Sequence, residues 1–488
     1  MRYKVVVADP KQLANIEAAL QIVDPQAELV EDKMAADLEL IITVEAAFKV
    51  SVQAPQLGDA GNWEYQDLDI HDPRYDAADQ VQRLKEIIRL GIIKVVGSYL
   101  QKTPPWGILS SVRPTKIFHY LRDKNFSVAE IKAKLGSIYG LSPTKADLLT
   151  EVGLSQEAFF KPAHYVSIYV GIPFCPTRCH YCSFAAVSLE THRHEVAGFL
   201  KALRWEIEQI GALCRKHGFI VETIYVGGGT PTSLAESELD AVLQWLRATF
   251  YSDATREFTV EAGRPETITP AKVETMLRLG VNRISINPQT MHQHTLDLIG
   301  RAHTVQQVEA AVAMVKPFPL ALNMDLILGL PGESGADFVD SLTRVVGLDP
   351  DNITIHTLAP KRAAHWRKNF DELELARDQV LQQVNTEAER SLRENGYVPY
   401  YLYRQRAILA NLENIGFCKP GRESVYNIQM MEERQTIFGL GGGAVTKWVY
   451  GPDNLICRHQ NPKCPATYSH RVERDVQEKT GQTQRLLG

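Results

Sequence analysis

Tyr169-Val-Gly-Ile-Pro-Phe-Cys175-Pro-Thr-Arg-Cys179-His-Tyr-Cys182-Ser-Phe184 places three cysteines at C-x3-C-x2-C spacing, directly behind an apolar run that starts at Tyr165. Three thiolates on one loop can hold three corners of a cubane iron–sulfur cluster. Such clusters normally take four cysteines, so a triplet leaves one iron open to a ligand from outside the chain. A structural zinc site would need a fourth Cys or His to close its tetrahedron, and His180, inside the last gap, is poorly placed for that. Free thiols are the remaining reading.

Outward from this loop, the pattern towards the C-terminus alternates strand and helix. Strands are predicted near 165–173, 222–229, 257–263, 283–289, 320–330 and 352–360, with helical segments between them. Six βα units predict a parallel sheet covered by helices, either an open doubly wound sheet or an incomplete (β/α) barrel. Towards the N-terminus, residues 1–160 mix short strands (Lys4 to Ala8, Leu38 to Thr43) with a helix around Val81 to Gln101, which predicts a small α/β domain. Lys161-Pro-Ala163 marks the break, giving an α/β domain over 1–160, the βα series over 161–380, and a mostly helical or looped region over 381–488 that covers the barrel mouth. Gly439-Leu-Gly-Gly-Gly-Ala444 formally fits G-x-G-x-x-A but has no acidic residue about 20 positions on, so it is expected to be a loop. The polar last 20 residues predict a solvated helix or a frayed tail.

Composition excludes several classes. Lys plus Arg number 53 and Asp plus Glu 58, a net charge of −5, which argues against a protein that coats duplex nucleic acid. No apolar run approaches the length of a membrane span, and the start of the chain reads as a strand and not as a signal peptide, so the cytoplasm is the expected location. Seven cysteines in 488 residues suit a reducing compartment, and three of them belong to the loop above.

In parallel barrels ligand groups gather at the C-terminal ends of strands. Each predicted strand end here offers one. The second ends in Gly227-Gly228-Gly229-Thr230-Pro231, where glycines expose backbone to a ligand; the third carries Glu261, the fourth Gln289, the fifth Asp325 and the sixth Thr357.

These residues resemble the radical S-adenosyl-L-methionine (SAM) superfamily, for which C-x3-C-x2-C with an aromatic before the last cysteine, here Tyr181, is highly specific behind a strand. The resemblance implies a partial (β/α)6 barrel, a 4Fe–4S cluster on Cys175, Cys179 and Cys182, and SAM on the open iron. A narrower resemblance, over about 165 to 450, is to the oxygen-independent coproporphyrinogen III dehydrogenase group. It implies that Tyr169 and Tyr181 flank SAM, that Gly228, Gly229 and Thr230 lie beneath its methionine portion, that Glu261, Gln289, Arg301 and Asp325 contact its carboxylate and ribose, and that Thr357 meets its adenine. Gln289-x11-Arg301 and Asn323-Met-Asp325-Leu-Ile-Leu-Gly-Leu-Pro331 look like that group; Trp106 to Lys116 and Tyr400 to Asn414 look HemZ-type.

The implied reaction is oxidative decarboxylation of two propionates of coproporphyrinogen III, fed by an electron donor such as flavodoxin or ferredoxin. Phe184 stands where HemN has a further cysteine and the haem chaperone subgroup, HemW, has Phe. The resemblance therefore also implies, as alternatives, haem binding or chemistry on another tetrapyrrole. A substrate with four carboxylates needs a cationic wall, for which Lys361, Arg362, His365, Arg367, Lys368, Arg404 and Arg406 are candidates. Cys457 and Cys464, with His459 between them, are expected to be free thiols and not a second metal site, and His192, His194, His292 and His294 to be exposed helix residues.

Overall fold

Val, Ile and aromatic residues dominate the strand-forming runs from Tyr165 onward, and nearly every position in them is buried, as expected of strands covered on both faces. In the computed structural model these runs form one large sheet; the description covers all residues except 46–48, 67–71, 110–112, 185, 360–377, 406–407, 452 and 488. In chain order the strands are β1 (Tyr165–Ile172), β2 (Ile220–Gly228), β3 (Glu257–Glu261), β4 (Arg283–Ser285), β5 (Ala321–Leu328), β6 (Asn352–Thr357), β7 (Val398–Tyr403), β8 (Asn414–Cys418), β9 (Thr436–Gly441), β10 (Val445–Tyr450) and β11 (Leu455–Gln460). The helices used below are α1 (Val196–Lys216), α2 (Glu236–Phe250), α3 (Pro270–Arg278), α4 (Val305–Val315), α5 (Gly335–Gly347), α6 (Asp378–Glu394), α7 (Val425–Glu432) and α8 (Pro465–Leu487).

The sheet order is β7-β8-β6-β5-β4-β3-β2-β1-β9-β10-β11. Strands β1 to β6 thus lie side by side in sequence order, all parallel. A doubly wound sheet would reverse its order at a switch point; consecutive winding is barrel winding, and all six predicted strands take part. The barrel is partial because β1 and β6 do not pair with each other. Their free edges are taken by β9, parallel to β1, and β8, antiparallel to β6.

The floor of the barrel is built from the first residues of the strands. Glu257 accepts from Ser424 Oγ at 3.0 Å and from the Val425 amide at 2.8 Å, capping α7, and pairs with Arg283 at 3.3 Å. Arg283 in turn donates to Asn323, Asn352 and the carbonyls of Arg422 and Glu423. A buried polar set with this many partners rigidifies its surroundings.

Two expectations for the C-terminal region are corrected. The glycine run is not a loop: Gly439 and Gly441 lie in β9, and only Gly442 and Gly443 turn. Glycine is required there by contact, since a Cβ on Gly441 would meet the Gly171 carbonyl oxygen at 2.3 Å. The polar C-terminus is neither frayed nor solvated all round. It forms α8, which packs on α1 with Tyr468, Val472, Val476 and Thr483 buried. Its Lys479 and the Glu206 carboxylate of α1 are both fully buried and 2.6 Å apart. Glu206 also accepts from the Gly441 amide, Tyr468 Oη and Asn461 Nδ2. Residues after 380 therefore add five strands to the barrel sheet besides their helices, and belong to its compact unit, Ser155–Gly488.

The other unit, Met1–Leu154, has a five-stranded sheet in the order Glu28–Leu29, Arg2–Val7, Leu38–Glu45, Lys49–Gln53, Asn62–Gln66, its first three strands parallel. Helices Leu13–Val23 and Ala77–Tyr99 pack together and the latter lies on the sheet. Among the described residues no helix is long and apolar enough to cross a membrane.

Candidate functional site

Pro173 ends β1, and the chain then makes a two-residue strand, Phe174–Cys175, paired in parallel with Val187–Ser188, which closes the cysteine loop on itself. Each thiol receives a hydrogen bond: Cys175 from Thr230 Oγ1 at 3.5 Å, Cys179 from Arg264 Nη1 at 3.5 Å, and Cys182 from the Phe184 amide at 3.4 Å. Burial, with the other two thiols adding repulsion, pushes the Cys175 thiol up to about 11. Metal binding must therefore displace its proton. His180 is turned towards the residues before Arg301: its amide donates to the Ile299 carbonyl at 3.0 Å, its Nδ1 lies 3.1 Å from the Leu298 carbonyl, and its ring packs against Gly300. The donor set is three sulfurs, which fits a 4Fe–4S cluster with one iron open and does not close a zinc tetrahedron.

The sheet register aligns the polar wall next to this loop. Tyr169 lies beside Tyr225, Tyr225 beside Thr259, Glu261 beside Ser285, Ser285 beside Asn323, and Asp325 beside Thr354. Because side chains alternate with period two, Tyr169, Tyr225, Glu261, Ser285, Asp325 and His356 share one face of the sheet. Tyr225 and Tyr426 of α7 stack at 4.3 Å between ring centroids, and Tyr169 lies about 6 Å from both. Glu261 accepts from Tyr225 Oη at 2.6 Å and the Gly228 amide at 3.2 Å. Burial pushes its carboxyl up to about 7, the Tyr225 hydrogen bond opposes this, and the Asp325 charge adds to it. Burial and Glu261 likewise push the Tyr169 and Tyr225 phenols up, so both stay neutral.

At the strand ends, Gly228 has φ 105° and a Cβ on Gly229 would meet the Phe174 carbonyl oxygen at 2.4 Å, so the β2 backbone lies against the cysteine loop only because these positions are glycine. Gln289 holds φ 69° and bridges to β5 through its backbone, its amide donating to the Asp325 carbonyl at 2.9 Å. Arg301 donates to Tyr181 Oη at 3.1 Å and to the carbonyls of Gly263 and Asn287, tying the cluster loop to the ends of β3 and β4. Ser285 Oγ, Asn287 Oδ1 and Arg301 Nε are buried with no hydrogen-bond partner. Buried polar atoms are rarely left so, and this trio beside Glu261 suits a polar ligand such as SAM lying against β3 and β4.

Some expected residues lie elsewhere. Thr357 is on the opposite face from His356: its hydroxyl donates to the Glu413 carbonyl at 3.0 Å and its amide to Asn414 Oδ1 at 2.9 Å, so its hydroxyl proton is committed to the start of β8. Thr230 is buried with its hydroxyl on Cys175 and so faces the cluster. Arg404 is no substrate clamp, since burial draws it in and its guanidinium donates to the Leu412 and Asn411 carbonyls. Lys361, Arg362, His365, Arg367, Lys368 and Arg406 lie outside the described residues. Cys457 and Cys464 are free thiols; His459 faces Asp475 and Glu478 at 3.6 and 3.4 Å, away from a thiol pair.

Three residues escaped the sequence reading. His356, paired with Asp325 at 3.5 Å and with Tyr403 Oη at 3.1 Å, was findable by carrying the period-two alternation along β6. Tyr225 was findable in the same way along β2. Arg264 and its contact with Cys179 had no signal in spacing.

Residues 169–345 match the radical SAM superfamily. The chain is 39% identical over 413 residues, covering 83% of itself and 82% of the relative, to the oxygen-independent coproporphyrinogen-III oxidase-like protein HemZ of Bacillus subtilis. It is 29% identical over 282 residues to the heme chaperone HemW of the same organism, covering 57% of itself and 70% of that protein. The solved structure of coproporphyrinogen III oxidase (HemN) from Escherichia coli shares the fold, with a TM-score of 0.52 at 24% identity over 66% of this chain and 73% of that one. With the three-sulfur loop, the parallel barrel and the extent of these likenesses in place, the chain belongs to the radical SAM superfamily and within it to the family of HemZ, the coproporphyrinogen-III oxidase-like proteins, with a 4Fe–4S cluster and SAM as its cofactors.

Proposed function

We propose that this protein catalyses the oxygen-independent oxidative decarboxylation of two propionate side chains of coproporphyrinogen III to the vinyl groups of protoporphyrinogen IX, in the cytoplasm, with electrons from a flavodoxin- or ferredoxin-like donor. The observation that carries the reading is the three-thiol loop beside a wall of Tyr169, Tyr225, Glu261, Asp325 and His356 in a chain that matches a HemZ protein over most of both lengths. When bound, the cluster and SAM together would supply a 5′-deoxyadenosyl radical able to take a hydrogen atom from the propionate β-carbon, after which loss of carbon dioxide and of one electron to an acceptor outside the chain would complete each vinyl group.

The residues of the chain have the following roles. Cys175, Cys179 and Cys182 hold the cluster, and Thr230 and the Phe184 amide hydrogen-bond two of its sulfurs. Gly228 and Gly229 keep the β2 backbone low enough for SAM to lie on it. Tyr169 and Tyr181 flank it, and Glu261, Gln289, Arg301 and Asp325 receive its polar groups. The neutral tyrosine stack beneath excludes water from the reacting position. Asp325 orients His356, whose other nitrogen is held by Tyr403, and this pair faces the substrate side of the barrel.

A second reading, a haem chaperone that keeps the SAM fold, is supported by Phe184, which is 64% exposed beside the cluster loop where HemN has cysteine, and by the HemW relatives. Anaerobic incubation of the reconstituted protein with SAM, reductant and coproporphyrinogen III separates the two. The dehydrogenase reading expects protoporphyrinogen IX; stable haem binding with no porphyrinogen conversion would overturn it.

A further inference from the structure

Among the described residues, a threonine hydroxyl, a backbone amide and a guanidinium donate to the cysteine sulfurs, and of these Arg264 brings a full charge. Its side chain is 3% exposed. Every edge of the guanidinium is fixed: Nη1 donates to Cys179 Sγ at 3.5 Å and the Thr177 carbonyl at 3.4 Å, Nη2 to Thr177 Oγ1 at 3.0 Å, and Nε to Glu266 Oε1 at 2.7 Å. Glu266 supplies one negative charge on the far side. His303, fully buried 3.6 Å from Glu266, is held neutral by burial and by the charges of Arg301 and Arg264. Arg301 is the other buried cation near Cys179, and it reaches the loop through Tyr181 Oη. Arg264 is thus a fixed, buried cation, its charge partly offset by one carboxylate and aimed at a cluster ligand.

We propose that Arg264 sets the reduction potential of the cluster by holding a charged hydrogen bond on Cys179 Sγ, with Glu266 as the counterweight. One-electron reduction by an external donor adds a negative charge to the cluster. A guanidinium at that distance in a low-dielectric site stabilises the reduced form, and hydrogen bonds to cluster sulfurs raise the potential in the same direction. Arg264 acts through Cys179 and is a positioning and tuning residue, not a catalytic one. The inference rests on the cluster assignment but not on the identity of the tetrapyrrole.

The test is a mediated redox titration, read by electron paramagnetic resonance, of reconstituted full-length protein and its Arg264→Gln, Arg264→Lys and Glu266→Gln variants, each with iron and sulfide measured. Arg264→Gln is expected to lower the midpoint so that, at the wild-type midpoint, the oxidised-to-reduced ratio rises about tenfold, which is about 59 mV for a one-electron couple. Glu266→Gln is expected to shift it the other way, and Arg264→Lys to recover part of the loss. Unchanged midpoints, or shifts of one sign in both neutralising variants, would overturn the proposal and leave Arg264 as a prop of the loop. If Arg264→Gln fails to retain iron, Glu266→Gln and Arg264→Lys decide by the same signs. A wild-type protein that assembles no cluster would instead sink the cluster assignment itself.

Discussion

Glu261 sits at the end of β3 between Tyr225 Oη and the Gly228 amide, with its carboxyl pushed up to about 7 by burial. Between its ordinary value of 4.5 and 7 the folded protein holds a proton that the unfolded chain releases, so this residue makes stability fall as pH rises through that window. In cluster-free protein, Glu261→Gln should remove the fall, gaining at most about 3 kcal/mol over wild type at pH 8 and little at pH 4.5. Thermal unfolding at the two pH values measures it. The same variant should bind SAM about tenfold more weakly at pH 8, the loss of a hydrogen bond to a charged group, as read by equilibrium binding. At the cysteines, Cys179→Ala should abolish the 4Fe–4S signal and leave iron well below wild type; a full signal would contradict the ligand set. The cysteines, Glu261 and Asp325 were legible in the sequence because spacing and strand ends mark them, and Arg301 only through the family resemblance. His356 was not, because Thr357 ends the strand while the pleat puts its neighbour on the face of Asp325. Arg264 was illegible, since a contact with Cys179 across 85 positions leaves no trace in either segment.

Helix α8 shows what sequence pattern misses at the scale of elements. Its composition is polar, and nothing near it in sequence marks Lys479 as buried. The partner that makes burial tolerable, Glu206, lies 273 residues earlier on α1. Lys479 also donates to the Gly439 carbonyl at 2.6 Å, so one ammonium joins α1, α8 and the added strand β9. Removing one partner of a buried pair strands the other charge. Lys479→Met should therefore cost about 3 to 5 kcal/mol, read by denaturant unfolding, whereas Lys463→Met at an exposed position should cost little. The six barrel strands were legible because each is a β-branched run bounded by turns. Strand β9 was not, because its glycines, dictated by the close approach of Val445 at Gly439 and of Gly171 at Gly441, imitate a loop.

The whole chain divides into Met1–Leu154 and Ser155–Gly488, and every residue named for the cluster and SAM lies in the second unit. A chain starting at Ser155 should fold, assemble the cluster and bind SAM with wild-type affinity, as measured by iron content and equilibrium binding. The six alternating units were legible and their barrel winding only through the family resemblance, while the closure of the edges by β8 and β9 was not, since strand pairing over such separations depends on tertiary packing. If this barrel directs a radical to the propionates of coproporphyrinogen III, the stoichiometry of a single anaerobic turnover with carboxyl-labelled substrate reveals it: one labelled carbon dioxide is expected for each 5′-deoxyadenosine formed, neither appearing without substrate above a slow background. 5′-Deoxyadenosine accumulating at the same rate with and without coproporphyrinogen III, and no labelled carbon dioxide, would rule this out.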